Sequence, residues 1–110
     1  MEVEPKKVIR SSFYLNDIID IYEYGEESFG EKAAIYFIQD LRNLILLLET
    51  QYLLHPECRH LETKTKIYRN IILGSYLIIY RIKPKTIEVL RAFHCSRSPK
   101  EIKKARKIKM

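Results

Sequence analysis

The sequence contains no apolar run that is long enough to cross a membrane. Its longest apolar runs, residues 44–48 and 76–80, are far shorter than the roughly 20 residues that a bilayer requires. The N-terminal stretch from Met1 to Pro5 is acidic and lacks the apolar core of a secretory signal. We therefore expect a cytoplasmic protein without a membrane partner.

Glycine, cysteine and histidine are scarce, which limits the kinds of chemical site that the chain can build. The three glycines are scattered, so there is no glycine-rich loop to hold a phosphate. Cys58 and Cys95 lack the Cys-x-x-Cys spacing of redox and zinc motifs, and two thiols in a non-secreted chain are usually reduced. A zinc site that combined them with His60 and His94 would match no usual ligand spacing. We expect no cofactor, no metal ion and no disulfide bond.

Acidic and basic residues are distributed unequally along the chain. Its 110 residues are enough for one domain with one core, which we assign to residues 1–110. Residues 1–53 contain 5 Lys/Arg and 10 Asp/Glu, whereas residues 54–110 contain 15 Lys/Arg and 4 Asp/Glu. The basic C-terminal half favours an anionic partner, either a nucleic acid or an acidic protein, although basic stretches are also often simply solvated.

The first half of the chain has the periodicity of two amphipathic helices. In residues 13–28 and 31–50, apolar positions recur every three or four residues with polar positions between them. A short edge strand is expected before them at residues 8–10. Ser11 or Ser12 offers an N-cap to the first helix, and Gly30 separates it from the second. Because the linker is so short, we predict a helical hairpin.

The second half of the chain predicts three β-strands after a loop at residues 55–65. Residues 66–72, 75–82 and 86–93 are rich in Ile, Tyr and Val, and turn-forming residues separate them. An antiparallel meander is the simplest topology. Since residues 76–80 are apolar throughout, we expect the middle strand to be covered on both faces. The predicted fold class is therefore α+β, with the helical hairpin packed on a small antiparallel sheet.

A short basic helix is predicted at the C-terminus. Ser98, Pro99 and Glu101 have the spacing of a capping box, in which the serine oxygen and the carboxylate each satisfy a free amide. The helix extends to about residue 107 and has few apolar residues, so it is marginally stable by itself. We expect it either to dock on the sheet or to stay mobile until a partner binds.

Arginines recur through the most apolar segment of the chain. Because alternate side chains of a strand share a face, we predict that the three strand arginines lie on a common surface, which Arg97 extends. Guanidinium groups bind phosphates and carboxylates through paired hydrogen bonds. The residues that we expect to bind a target are Lys66, Arg69, Tyr76, Arg81, Arg91 and Arg97. As an alternative, Arg81 and Arg91 pair with Glu88 and other acids in ordinary cross-strand contacts.

His94 and Arg97 lie close together at the end of the last predicted strand. A histidine exchanges protons near neutral pH, and an adjacent arginine can stabilise an anionic transition state, which together suit cleavage of a phosphodiester. A lone histidine at a strand end more often has a structural role. Whether the chain is an enzyme thus stays open, and His94 and Arg97 are the catalytic candidates of a metal-independent endoribonuclease.

The order of these residues resembles the toxins of the RelE/ParE superfamily of bacterial type II toxin–antitoxin systems. Two helices precede a strand with Arg69, then the turn glycine Gly74, then the strand that contains residues 76–81, and a last strand followed by His94 and Arg97. This order is similar to that of ParE-like members, and the resemblance covers roughly residues 8–105.

The resemblance implies a small α+β toxin that arrests growth when it is free of its antitoxin. ParE-like members are associated with inhibition of DNA gyrase, whereas RelE-like members cut mRNA on the ribosome. The nuclease members typically have an arginine just after the tyrosine that opens the middle strand, where this chain has Leu77. The resemblance therefore favours gyrase as the target, with ribosome-bound mRNA as the alternative.

The resemblance also implies an acidic antitoxin protein as partner. Its amphipathic segment would lie across the sheet or displace the basic C-terminal helix, with Ile102, Lys103 and Arg106 as contact residues. A further alternative is a non-toxic basic module that binds a nucleic acid or an acidic protein, with an affinity that depends on salt.

Overall fold

Two long helices, four strands and a short C-terminal helix make up residues 3–110, the part of the chain that the computed structural model describes. In chain order the elements are β1 (Lys7–Arg10), α1 (Ser12–Phe29), α2 (Glu31–Gln51), β2 (Tyr68–Leu73), β3 (Tyr76–Ile82), β4 (Thr86–His94) and α3 (Pro99–Lys103), which continues as a 3₁₀ turn over Lys104–Lys107. The predicted α+β class, helical hairpin and meander are confirmed.

The four strands form one sheet in the order β1-β4-β3-β2. β2, β3 and β4 pair antiparallel as predicted, whereas β1 lies parallel to β4, with Val8 opposite Ile87. The helical hairpin, not a tight turn, connects β1 to the rest of the sheet, so nothing forces an antiparallel pairing. The sheet is therefore mixed rather than purely antiparallel.

The start of α1 is attached to the sheet by its capping residue. The Ser11 hydroxyl oxygen accepts a hydrogen bond from the backbone N–H of Tyr14 at 2.9 Å and donates one to the carbonyl of Leu90 at 2.6 Å. Ser11 thus satisfies an otherwise free helix amide and orients α1 against β4. At the other end of α1, Gly30 has a φ of 92°, which suits glycine, and α2 starts at the next residue.

Apolar side chains are buried on both faces of the sheet. The helical hairpin covers one face, where Ile78 and Tyr80 of β3 are fully buried. On the other face Ile79 is buried in a second cluster, together with residues of the 52–67 loop and of the C-terminal segment. The prediction that the middle strand is covered on both faces is therefore confirmed. The C-terminal segment docks on the sheet through Ile102 of α3, Ala105 of the 3₁₀ turn and Ile108, which follows that turn.

A buried ion pair lies in the second cluster. Arg81 Nε donates to the Glu88 carboxylate at 2.7 Å, and the two side chains are only 8% and 10% exposed. Another guanidinium nitrogen of Arg81 donates to the carbonyl of Ile108 at 2.8 Å. Burial lowers the pKa of Arg81, but its hydrogen bonds with Tyr68 and Glu88 outweigh this effect and leave the pKa raised. Arg81 therefore stays charged and holds the C-terminal segment on the sheet.

Loss of one partner of this pair should destabilise the fold strongly. In Arg81→Met, Glu88 remains buried without a counter-charge, which should lower the free energy of unfolding by about 3–5 kcal/mol. The double variant Arg81→Met/Glu88→Leu leaves neither charge and should recover most of this loss. Urea denaturation measures both. The control is Lys104→Met, which breaks the exposed pair with Glu101 and should leave the unfolding midpoint nearly unchanged. Equal losses in Arg81→Met and Lys104→Met would contradict the buried pair.

Candidate target-binding groove

The three strand arginines do not share a surface. Arg69 lies opposite Tyr80, the residue just before Arg81 in β3, so Arg69 and Arg81 project from opposite faces of the sheet. Arg81 is buried with Glu88, its neighbour across the strands, and Arg91 is paired with an aspartate of α1. The prediction of a common surface for Arg69, Arg81 and Arg91 is therefore wrong. The alternative, in which Arg81 and Arg91 pair with acids across the strands, is confirmed for Arg81, whereas the acid that pairs with Arg91 lies in a helix.

Arg69 holds the loop that precedes β2. Its guanidinium group donates to the carbonyls of Leu53 at 3.1 Å, of His55 at 3.0 Å and of Lys66 at 3.1 Å. Burial, together with the nearby charge of Arg69, lowers the pKa of His55. Most of the hydrogen-bonding capacity of Arg69 is therefore used inside the fold, whereas the Lys66 side chain is exposed.

Arg91 connects β4 to α1. It forms a two-point ion pair with Asp17, with N–O distances of 2.7 and 2.9 Å, and lies over the ring of Phe93 at 4.6 Å. The Asp17 carboxylate also accepts the backbone N–H of Ala92 at 2.9 Å. This contact lies beyond Val89, the last residue of β4 that pairs with β1. The ion pair thus holds α1 against the part of β4 that does not pair with β1.

Tyr76, His94 and Arg97 meet at one end of the sheet. Tyr76 lies opposite His94 in the β3–β4 register, and their rings contact edge to face with centroids 5.5 Å apart. A groove of about 180 Å³ separates them from α1. We call it the Tyr76 groove; its main lining residues are Asp17, Asp20, Tyr24, Tyr76, His94 and Arg97.

His94 and Arg97 are exposed and available to a partner. The backbone N–H of Ser96 donates to His94 Nδ1 at 3.1 Å, and the Ser96 hydroxyl lies 2.7 Å from the same atom. Because Ser96 occupies Nδ1, Nε2 is the ring nitrogen that remains for a partner. The Arg97 guanidinium lies 5.1 Å from the centroid of the Phe93 ring. The groove thus offers two exposed groups that can donate hydrogen bonds.

Lys66 and Arg69 are remote from His94 and Arg97. Arg69 lies opposite Tyr80 and His94 lies opposite Tyr76, four residues earlier in β3. At about 3.3 Å per residue, roughly 13 Å of strand separates the two positions. The cations that we expected to bind phosphate therefore do not surround the candidate catalytic histidine.

The residues that we assigned to an antitoxin are divided between the core and the surface. Ile102 is 1% exposed and packs on the sheet, so an antitoxin would reach it only if the C-terminal helix were displaced. The short helix is marginally stable by itself and docks by burying its few apolar side chains. Ile102 is one of these side chains. Lys103 and Arg106 are exposed.

Sequence reasoning missed an apolar pocket beside the Tyr76 groove. Ile21, Tyr24, Phe29, Phe37 and Tyr76 line it between the two helices. Tyr24 and Phe29 are 57% and 72% exposed and contact each other edge to face at 6.5 Å. A signal was present in the sequence, because these two aromatic residues lie outside the apolar stripe of α1.

The other site types that we considered gain no support from geometry. Within residues 3–110, no three His, Cys, Asp or Glu side chains lie close enough to hold a metal ion. Cys58 is buried, which raises the pKa of its thiol, whereas Cys95 is exposed. No helix in the described part of the chain is both long and apolar enough to span a membrane.

Comparisons with known proteins identify one family. The sequence model of the ParE toxin of the type II toxin–antitoxin system ParDE matches residues 8–99. A solved structure described as "Chromosomal ParDE TA system from P. aeruginosa" is similar, with a TM-score of 0.67 and 17% identity over 84% of this chain and 98% of that chain. At this identity the likeness shows the fold alone. A search of curated proteins gives no match.

The ion pair between Asp17 and Arg91 should stabilise the wall of the groove. Asp17→Asn removes the carboxylate charge that accepts three hydrogen bonds, two from Arg91 and one from the Ala92 N–H, and should lower the free energy of unfolding by about 1.5–3 kcal/mol. Asp20→Asn changes an exposed residue of the same groove and should have almost no effect. Thermal or urea denaturation measures the difference between the two variants, and equal stability would show that the ion pair contributes nothing.

Proposed function

Because the chain belongs to the ParE family of toxins of type II toxin–antitoxin systems, we propose that it arrests growth by inhibiting DNA gyrase when it is free of its antitoxin. The family match covers residues 8–99 and includes both walls of the Tyr76 groove. We further propose that this groove contacts the target.

The composition of the groove supports a protein as the target. Protein interfaces concentrate their binding energy in aromatic residues and arginine. The groove combines Tyr24, Tyr76 and Arg97, and the exposed ring of Phe29 lies in the adjoining pocket. Asp20, which lines the same groove, would repel an RNA phosphate. This mixture of exposed aromatic rings with one arginine and an acid is the observation that carries the proposal.

Cleavage of mRNA has less support from the geometry. The phosphate-binding candidates Lys66 and Arg69 lie roughly 13 Å of strand away from His94. Leu77, where nuclease members of the superfamily typically have arginine, is a partly buried apolar residue packed against the second core cluster. His94 and Arg97 are therefore assigned here to binding rather than to catalysis.

We also propose that the antitoxin is acidic and contacts the exposed face of the C-terminal helix. Lys103 and Arg106 lie there without acidic partners among residues 3–110. Ile102 would become accessible only if the helix left the sheet. Such displacement would also have to break the hydrogen bond from Arg81 to the Ile108 carbonyl.

Arg97→Gln should weaken inhibition of gyrase. The substitution removes the exposed guanidinium group of the groove, and we expect that about tenfold more toxin is needed for half-inhibition of plasmid supercoiling. Lys100→Gln removes an exposed charge three residues later and should leave inhibition unchanged. Two results together would instead favour the ribosome-dependent nuclease. Gyrase would supercoil plasmid normally at a high concentration of wild-type toxin, and mRNA would be cleaved inside translated codons.

Expression of the chain alone should stop bacterial growth. Coexpression of a small acidic protein encoded beside it should restore growth, because the antitoxin covers the toxin. The variant Arg97→Gln should be tolerated at a level that is toxic for the wild type. Colony counts after induction measure these effects, and normal growth with abundant wild-type protein would contradict the proposal.

A further inference from the structure

The end of the sheet opposite the Tyr76 groove gathers cations from the two termini and the middle of the chain. The turn between β3 and β4, residues 83–85, lies at this end. The Lys6 ammonium group donates to the carbonyls of Lys83 at 2.8 Å and Pro84 at 2.6 Å. The backbone N–H of Lys7 donates to the Lys85 carbonyl at 3.2 Å. The N-terminal segment is thus fastened to the turn.

Two further segments reach the same end. Arg81 donates to the carbonyl of Ile108 at 2.8 Å, which places the C-terminal residues beside the end of β3. The N–H of Ile82 donates to the Ile67 carbonyl at 2.8 Å, which places the entry to β2 there as well. We call the resulting cluster the lysine end; its exposed members are Lys7, Lys66, Lys83, Lys85, Lys107 and Lys109.

The charge of the lysine end is largely uncompensated. Glu88 is the acid nearest to it within the sheet, and Glu88 is buried with Arg81. Glu4 and Glu49 adjoin the Lys6 side of the cluster, where their backbone carbonyls accept hydrogen bonds. Within residues 3–110, none of the six lysines forms an ion pair. The lysine end therefore has a positive potential that attracts a polyanion.

We propose that the lysine end binds the phosphate backbone of double-stranded DNA. Four strands with a spacing of about 4.8 Å make this end roughly 14 Å wide, a length over which a duplex carries about eight phosphate charges. Lysine acts as a point charge on phosphate and reads no base sequence in that role. The binding is therefore independent of sequence and sensitive to salt.

The aromatic residues favour a duplex over a single strand. Single-stranded nucleic acids gain affinity by stacking their bases on exposed aromatic side chains. The exposed aromatic residues Phe13, Tyr24, Phe29 and Tyr36 all lie on the helical hairpin. Tyr52 and Tyr68 lie near the lysine end but are buried. Among residues 3–110, no exposed aromatic ring at the lysine end offers a stacking surface for unpaired bases.

This inference does not depend on the proposed target. β4 extends over eight residue steps from Thr86, at the lysine end, to His94 in the Tyr76 groove, which corresponds to roughly 26 Å. DNA binding at the lysine end and inhibition of gyrase through the groove are therefore separable by substitution.

The test measures binding of a short fluorescein-labelled DNA duplex to the purified full-length chain by anisotropy at several salt concentrations. The triple variant Lys83→Gln/Lys85→Gln/Lys109→Gln should bind about tenfold more weakly at low salt, and its slope of log affinity against log salt should fall by about 0.9 for each lysine removed. The matched control Lys32→Gln/Arg59→Gln/Lys100→Gln removes the same charge from other exposed positions and should retain most of the affinity.

Four results would overturn the proposal. Equal losses in the two triple variants would show that only net charge matters. Stronger competition by polyglutamate than by unlabelled duplex of equal charge would assign the surface to an acidic protein. Tighter binding of the labelled single strand than of the duplex would exclude duplex as the preferred ligand. A wild-type affinity without salt dependence would overturn it before any variant is made.

Discussion

The central strand β3 is apolar on both faces, and the whole architecture follows from the need to cover it. Ile78 and Tyr80 face the helical hairpin, and Ile79 faces the C-terminal segment. A hairpin on one face alone would leave the second row of side chains in water. The short C-terminal helix therefore docks although it is weak by itself, and the buried pair of Arg81 and Glu88 makes its attachment specific.

The packing of the fold, including the docked C-terminal segment, decides which positive charges in the second half of the chain stay exposed to a partner. Arg69, Arg81 and Arg91 are used to hold a loop, the C-terminal segment and α1, respectively. Their guanidinium groups contribute more to the fold than to an open surface. Exposed cations remain at the two ends of the sheet, as Arg97 in the groove and as the lysines around the β3–β4 turn.

The two ends have different chemistry. The Tyr76 groove combines aromatic rings with Arg97 and Asp20, which suits the mixed surface of a protein. The lysine end has charge and, in the described part of the chain, no exposed aromatic ring, which suits a phosphate backbone. Roughly 26 Å of β4 separates the two surfaces.

The sequence by itself determined the helices, the meander and the caps, because local periodicity and capping residues such as Ser11 and Ser98 act over a few positions. It also contained enough of the family pattern to identify the type of toxin. Only the tertiary structure decided which side chains meet. The faces of Arg69 and Arg81 depend on strand register, and the β3–β4 register itself shifts between Ile79 and Tyr80. The parallel direction of β1 depends likewise on contacts between residues far apart in the chain. Such pairings are set by the packing of the whole chain, since a single-residue change of register moves a side chain from one face of a sheet to the other.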